Sequence, residues 1–560
     1  MLDFAKDKAL WQKVRESEDF ATHRAQLLAL YEEAFRVEPR AHSVEDILSQ
    51  NDHMLWRKQF DHLQTSALLT LIYPENEEYY NNLLRTIWAY CNEYSWAPLG
   101  HFTMQYYGKT PADFDPGLID IFAASVGFAL AEVKNLLGDR LPRLISDRIS
   151  YEIRRHIIEP YCTRTFFWES HDNNWTAVCA GAVGGVLMYE APHLFYEHQT
   201  RLHNAMECYL ASFLEDGMCV EGVGYWGFGF GFFAAYASLE RELTQGAVDW
   251  FARPKVKAIA QYLQKMFLQR NVLTTFGDCT VFQRIPIGLP HLLRHVYGDE
   301  IEPLPRMPGC VEDNTHFNFA LRSIIYYDPA HVSGKMRENV TYAAENSSYF
   351  VKRTPYYGFA TKGGHNGESH NHIDVGTFIL ARHDRQILAD IGAGPYEDGY
   401  HTERRYTFFH PSSYSHSIPM LDGVGEDSIA RDRVVVHYDS AKDTATMDIA
   451  GAYGRADLTS LTRAFAFAPD CVTLTDRYTL TSAPEITERF VALMEPIPTG
   501  DGLVIDDVVL TNPHGIAPKI TAKKVRPHPD GEPHDVFLID YVLPAGQTEF
   551  TLRMAVAERS

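Results

Sequence analysis

The segment GGHNGESHNHIDVGTFILARHDRQILADIG, residues 363–392, sets a histidine-rich, glycine-flanked stretch directly before two apolar runs, TFILAR and RQILAD. A short HDR turn separates the runs, the pattern of two hairpin strands. Toward the C-terminus the same period-two or β-branched character recurs in RVVVHYD, TATMDIAG, AFAFAPDCVTLTDRYTL, ITERFVALM, GLVIDDVVL, VFLIDYVL and TEFTLRMAVA, with SSYFVKR just before it. Many strands at close spacing with no helix between them predict an antiparallel β-sandwich.

Toward the N-terminus the period changes. Ile119, Phe122, Val126, Leu130, Val133 and Leu137 recur every three or four residues, and Gly138 supplies a stop. A second helix is predicted after Pro74, through Tyr80, Leu83, Leu84, Ile87 and Trp88. Comparable stretches cover 141–159, 174–189, 193–215, 229–245 and 255–269. Helices of similar length with short polar joins predict antiparallel pairs, in a bundle or closed into a toroid. Between the two regimes, 301–345 carries IEPLPRMPGCVEDN and no clean period, which reads as an interdomain connection. A chain of 560 residues exceeds one ordinary core. The expected fold is therefore multidomain α+β, with a helical domain over 1–325 and a strand-rich domain over 326–560.

Composition narrows the function classes. With 45% hydrophobic and 22% charged residues the chain can bury large cores and is not a disordered or low-complexity protein. It carries 51 basic against 73 acidic residues, net −22, without a Lys/Arg run, so nucleic acid and acidic membranes are poor partners. The start, MLDFAKDKALWQKVRESEDF, lacks a secretory pattern, and no apolar run approaches the roughly 20 residues of a membrane helix. The expectation is a soluble cytoplasmic protein, or a periplasmic one if a leader has been removed. Cysteines 91, 162, 179, 208, 219, 279, 310 and 471 form no CxxC pair, which fits buried thiols. The 13% aromatic share suits a sugar cleft as well as a core.

Three clusters carry polar groups or glycine where a scaffold would be apolar. HDNNWTAVCAGAVGG, 171–185, opens a helix, so Asn173 or Asn174 is either a cap or a ligand contact. DGMCVEGVGYWGFGFGFF, 216–233, lets backbone approach a ligand closely, or else packs helices tightly. The third joins 363–392 to HTERRYTFFHPSSYSHSIP, 401–419. On a strand His370, His372 and Asp374 would share one face. With Asp390 and His416 they supply the nitrogen and oxygen donors that zinc or manganese accepts.

Together NNW, EGVGYWGFG, SHNHIDVGTFILAR, LADIG and SYSHSIP resemble the heparinase II/III-like polysaccharide lyases, whose relatives include alginate and other uronate lyases. The resemblance covers residues from about 50 to 425 and is most specific in 363–419. It implies an incomplete (α/α) toroid followed by an antiparallel β-sandwich, with the cleft between them. It also implies β-elimination on uronic-acid glycans, such as heparan, chondroitin, hyaluronan or alginate. By similarity Asn174 neutralises the uronate carboxylate, Tyr225 is the acid and also a base, and His370 is the second proton-transfer or neutralising group. Trp175 stands where some relatives carry a histidine. His372, Asp390 and His416 match the family's metal positions, for a divalent ion, zinc or manganese, that organises the loop under His370. His101, Trp175, Tyr400, Arg405 and Tyr406 are the expected substrate contacts. Two other readings stand beside this one: a glycoside hydrolase using Asp216 and Glu221, and a non-catalytic carbohydrate-binding protein. The implied partner is an acidic oligosaccharide or polysaccharide, and the acidic net charge leans toward short chains. The oligomeric state is left open.

Overall fold

A computed structural model describes residues 2–48, 52–102, 110, 113–281, 285, 287–304, 316–332, 337–397, 399–400, 402–500, 502–526 and 531–557. Helices fill the chain up to Phe317–Ile325, and antiparallel strands dominate from Val340–Ala344 onward. The helix Asn174–Glu190 is central to the first part, packed against Ile121–Leu137, Pro192–Ala211 and Gly231–Leu243. Its glycines permit this: a Cβ on Gly184 would lie 2.5 Å from the Tyr236 ring, and one on Gly185 2.4 Å from Phe128. The AGAVGG run therefore serves close helix packing.

Ile121–Leu137 is capped by Asp120, whose Oδ1 accepts from the Ala123 amide at 2.7 Å. Contrary to the expectation of no long apolar run, Ile121–Arg140 has the length and hydropathy to cross a membrane, but 72% of that window is buried inside the fold. It is a core helix. The connection expected over 301–345 falls partly outside the described residues, and its described part contains the helix Phe317–Ile325. Its polar residues Asn318, Arg322 and Ser323 are buried with the rest, and Arg322 pairs with the buried Glu132 at 2.9 Å.

Three larger sheets follow, all antiparallel. One has five strands, Val340–Ala344, Tyr349–Arg353, Gly358–Lys362, Phe378–Arg382 and Arg385–Leu388, in chain order. A four-stranded sheet contains Pro419–Leu421, Ile486–Ala492, Lys519–Val525 and His534–Val542, and an eight-stranded sheet is centred on Leu458–Ala468, Cys471–Leu480 and Glu549–Val556. The HDR and APD signals are real hairpin turns: Arg382 pairs with Arg385, and Ala468 with Cys471.

The five-stranded sheet is the joint of the molecule. Tyr349, Val351, Ala360, Ile379 and Ala381 face the helical core, while Phe350, Phe359, Phe378 and Leu380 enter the core shared by the sheets. Burial on both faces explains why FILA, 378–381, is continuously apolar rather than alternating. Loops leaving its central strands therefore emerge where helices and sheets meet.

Candidate active site

The histidine-rich stretch is such a loop. Residues 363–377 leave the strand Gly358–Lys362 and return at Phe378, so HNH does not lie on a strand as expected. His370 has φ +52°, in the left-handed region, and this breaks the side-chain alternation. Asp374 does not share a face with the histidines; it pairs with the buried Lys362 ammonium at 2.8 Å. His370 and His372 instead converge on Asp278.

Asp278, on the 274–281 segment, is fully buried and accepts four hydrogen bonds. His370 Nδ1 lies 2.8 Å from Oδ2; His372 Nε2 (3.1 Å), the Tyr400 hydroxyl (3.0 Å) and an Arg405 terminal nitrogen (2.7 Å) meet Oδ1. Burial works against its charge, but the bonds from His370 and His372 and the Arg405 guanidinium outweigh it and hold the carboxyl well below the usual range. A charged Asp278 fixes the tautomers, because each histidine must present an N–H to it.

Tyr225 ends the short turn Val223–Tyr225 after Gly222, whose φ of +99° only glycine adopts readily. Its ring stacks on His370, centroids 3.9 Å apart and planes at 24°, and its hydroxyl is 3.0 Å from that of Tyr396. Burial, with Tyr396 and Asp278 nearby, pushes the Tyr225 phenol well above 10. A cavity of about 430 Å³ opens beside it, lined among others by Asp172, Tyr209, Glu221, His365 and Glu368.

The other expected site residues divide. Asn173, not Asn174, is the helix cap, its Oδ1 accepting from the Trp175 amide at 3.1 Å. Asn174 is buried in the first turn, its Cβ against Gly229. His101 donates to the helix-capping Asp120 at 2.6 Å and its ring lies 5.1 Å from Trp175. Tyr400 and Arg405 are both buried: the Tyr400 hydroxyl donates to Asp278, and Arg405 also donates from Nε to the Asn371 carbonyl at 3.0 Å. Both donate to Asp278 and so tie the cluster together. Tyr406 is half-buried beside Arg405. Asp216 accepts from the Ser347 amide (2.8 Å) and hydroxyl (2.6 Å), so both of its carboxylate oxygens are engaged by the protein itself. Asp278 and Tyr396 were missed. Asp278 sits in FGDC with no spacing signal, whereas Tyr396, in the glycine-rich GAGPYED after Asp390, could have been flagged.

His372, Asp390 and His416 are all buried, with one possible ligand atom from each within 4.8 Å of the others. His372 spends Nε2–H on Asp278, which leaves its Nδ1 buried without a hydrogen-bond partner. His416 spends Nε2–H on the His410 carbonyl at 3.1 Å and turns Nδ1 to Asp390 Oδ2, also 3.1 Å away. Burial disfavours charge on His416, but Asp390 outweighs this and raises its proton affinity. A divalent cation can take that proton's place. Two imidazole nitrogens, one carboxylate and outer partners on both rings form a donor set that fits such an ion.

No family model and no curated protein matches the sequence. Solved structures do. Heparinase III superposes with a TM-score of 0.64 at 13% identity, over 90% of this chain and 77% of that one. A heparan sulfate lyase from Pedobacter heparinus gives 0.58 at 12%, over 97% and 89%. The Streptomyces coelicolor chondroitin AC lyase, in complex with chondroitin sulphate, gives 0.56 at 10%, over 100% and 83%. The chain has the heparinase II/III-like polysaccharide lyase fold. In this lyase fold the Tyr225–His370–Asp278 cluster lies at the meeting of helices and sheets.

Proposed function

We propose that the protein is a polysaccharide lyase that cleaves uronic-acid glycans by β-elimination, on a glycosaminoglycan-type or alginate-type chain. The stack of Tyr225 on His370, beside the cavity, carries this reading. We read residues 1–325 as an incomplete (α/α) toroid and 326–560 as a β-sandwich, with substrate bound between them.

Elimination removes the proton from C5, forms the C4–C5 double bond, breaks C4–O and returns a proton to the leaving oxygen. His370 commits Nδ1–H to Asp278, which puts its lone pair on Nε2, the base. Tyr225, kept protonated by burial and its neighbours, is the acid. The Asn174 amide binds the uronate carboxylate, where negative charge develops. Because the two rings stack, base and acid reach the sugar from one side, so elimination is syn. That suits D-glucuronate or D-mannuronate, in which H5 and O4 share a face. His372, Asp390 and His416 hold a divalent ion, zinc by donor type, which supplies a fixed charge that anchors the His372 end of the loop.

The test is incubation with heparan, chondroitin, hyaluronan and alginate oligosaccharides. Ultraviolet absorbance from the conjugated double bond should appear, more strongly for D-configured uronates than for their C5 epimers. New reducing ends without that absorbance would establish hydrolysis instead.

A further inference from the structure

Arg463 lies on the strand Leu458–Ala468, fully buried in the core shared by the sheets. It binds its cross-strand partner Asp476 through Nε (3.0 Å to Oδ1) and a terminal nitrogen (2.6 Å to Oδ2). Its other terminal nitrogen donates to two backbone carbonyls, Gly376 at 2.9 Å and Ser417 at 2.7 Å. Gly376 ends the loop that carries His370 and His372, and Ser417 directly follows His416. The network continues: Ser417 Oγ accepts from the Val491 amide (3.1 Å), and the Val491 carbonyl accepts from Ala389 (2.8 Å), the neighbour of Asp390.

One guanidinium thus meets two site loops near their ends, and Ser417 and Val491 extend the network to Ala389, the neighbour of Asp390. A sheet core gains little from such a charge, since apolar side chains of similar volume are often at least as stabilising as a buried ion pair. The planar fork has a use that a lysine could not meet: it binds a carboxylate with two nitrogens and still offers two N–H groups to carbonyls from different loops.

We propose that Arg463, held by Asp476, is a positioning residue that fastens the loops carrying His370, His372 and His416 to the eight-stranded sheet. Only the zinc measurement below rests on the metal reading of the previous section.

The test uses the full chain with Arg463→Met combined with Asp476→Leu, so that neither charge is left buried without its partner, and with Arg463→Lys as a second variant. Hydrogen exchange followed by mass spectrometry should show 363–377 and 411–418 exchanging at least about tenfold faster, with 458–480 as protected as in the wild type. Zinc affinity should fall about 10–100-fold, as for outer-shell partners of metal ligands, with the melting temperature of the metal-free protein nearly unchanged. Wild-type protection of both loops would overturn the proposal. So would equal opening of 458–480, which would make Arg463 an ordinary core residue. A wild type that binds no zinc would refute the metal reading, and loop exchange alone would then decide for or against Arg463.

Discussion

Tyr225 and His370 lie ring on ring, 3.9 Å between centroids, although 145 positions separate them in the chain. Neither is held by the other alone. Gly222 turns Tyr225 into place, and Asp278 anchors His370 from behind. The pair is thus pre-set, with a protonated phenol stacked on an imidazole that Asp278 holds through Nδ1.

Removing the Tyr225 hydroxyl leaves the stack intact. Tyr225→Phe should therefore fold and bind oligosaccharide as the wild type does, while elimination falls by about 10²–10⁴-fold. Steady-state absorbance together with binding to the same oligosaccharide checks this, and full activity would remove Tyr225 from the mechanism.

Asp278→Asn should be costly in two ways. The amide leaves the buried Arg405 charge without its partner, at about 3–5 kcal/mol in denaturant unfolding. It also no longer enforces the His370 tautomer, so turnover should drop in the fraction that remains folded. Tyr400→Phe deletes one hydrogen bond to the same carboxylate and should cost only about 1 kcal/mol. Equal losses for the two variants would mean that Asp278 is not the hub.

The strand hairpins and the early helices could be read from sequence because each depends on local period, while the group of His372, Asp390 and His416, which could hold a metal, was pointed to by the resemblance. The HNH geometry could not. A left-handed residue at His370 reverses the expected alternation, and Asp278, whose charge organises both histidines, comes from a segment 92 residues upstream. Phe317–Ile325 was missed because it is only nine residues long, shorter than the window over which a helical period stands out, and it follows a proline-rich stretch. Arg405 and Tyr400 looked like cleft residues because sequence alone does not show that a buried carboxylate claims them.

His372→Ala removes one of three candidate ligands and the ring that joins this group to Asp278. Metal analysis of the purified protein should fall from about one divalent ion per chain to none. Wild-type content in the variant would assign the ion to other residues.

Acid should destabilise the helical part through histidines that have no catalytic role. Burial lowers the pKa of His23, His291 and His316 to about 4 each, against about 6.5 for an exposed ring. The unfolded chain binds these protons between pH 6.5 and 4 and the folded chain does not. Their stability contribution is thus complete above pH 6.5, falls as the pH drops toward 4 and is constant below it. The full loss is up to roughly 3 kcal/mol per ring. His316 isolates the effect, since it sits among Phe60, Phe228, Phe232 and Phe319 and its Nδ1 is buried without a hydrogen-bond partner. Phenylalanine fills the same aromatic box and cannot take up a proton. His316→Phe should therefore gain stability over the wild type progressively from pH 7 to pH 4.5 in parallel denaturant titrations. A constant difference across that range would show that His316 titrates alike in both states.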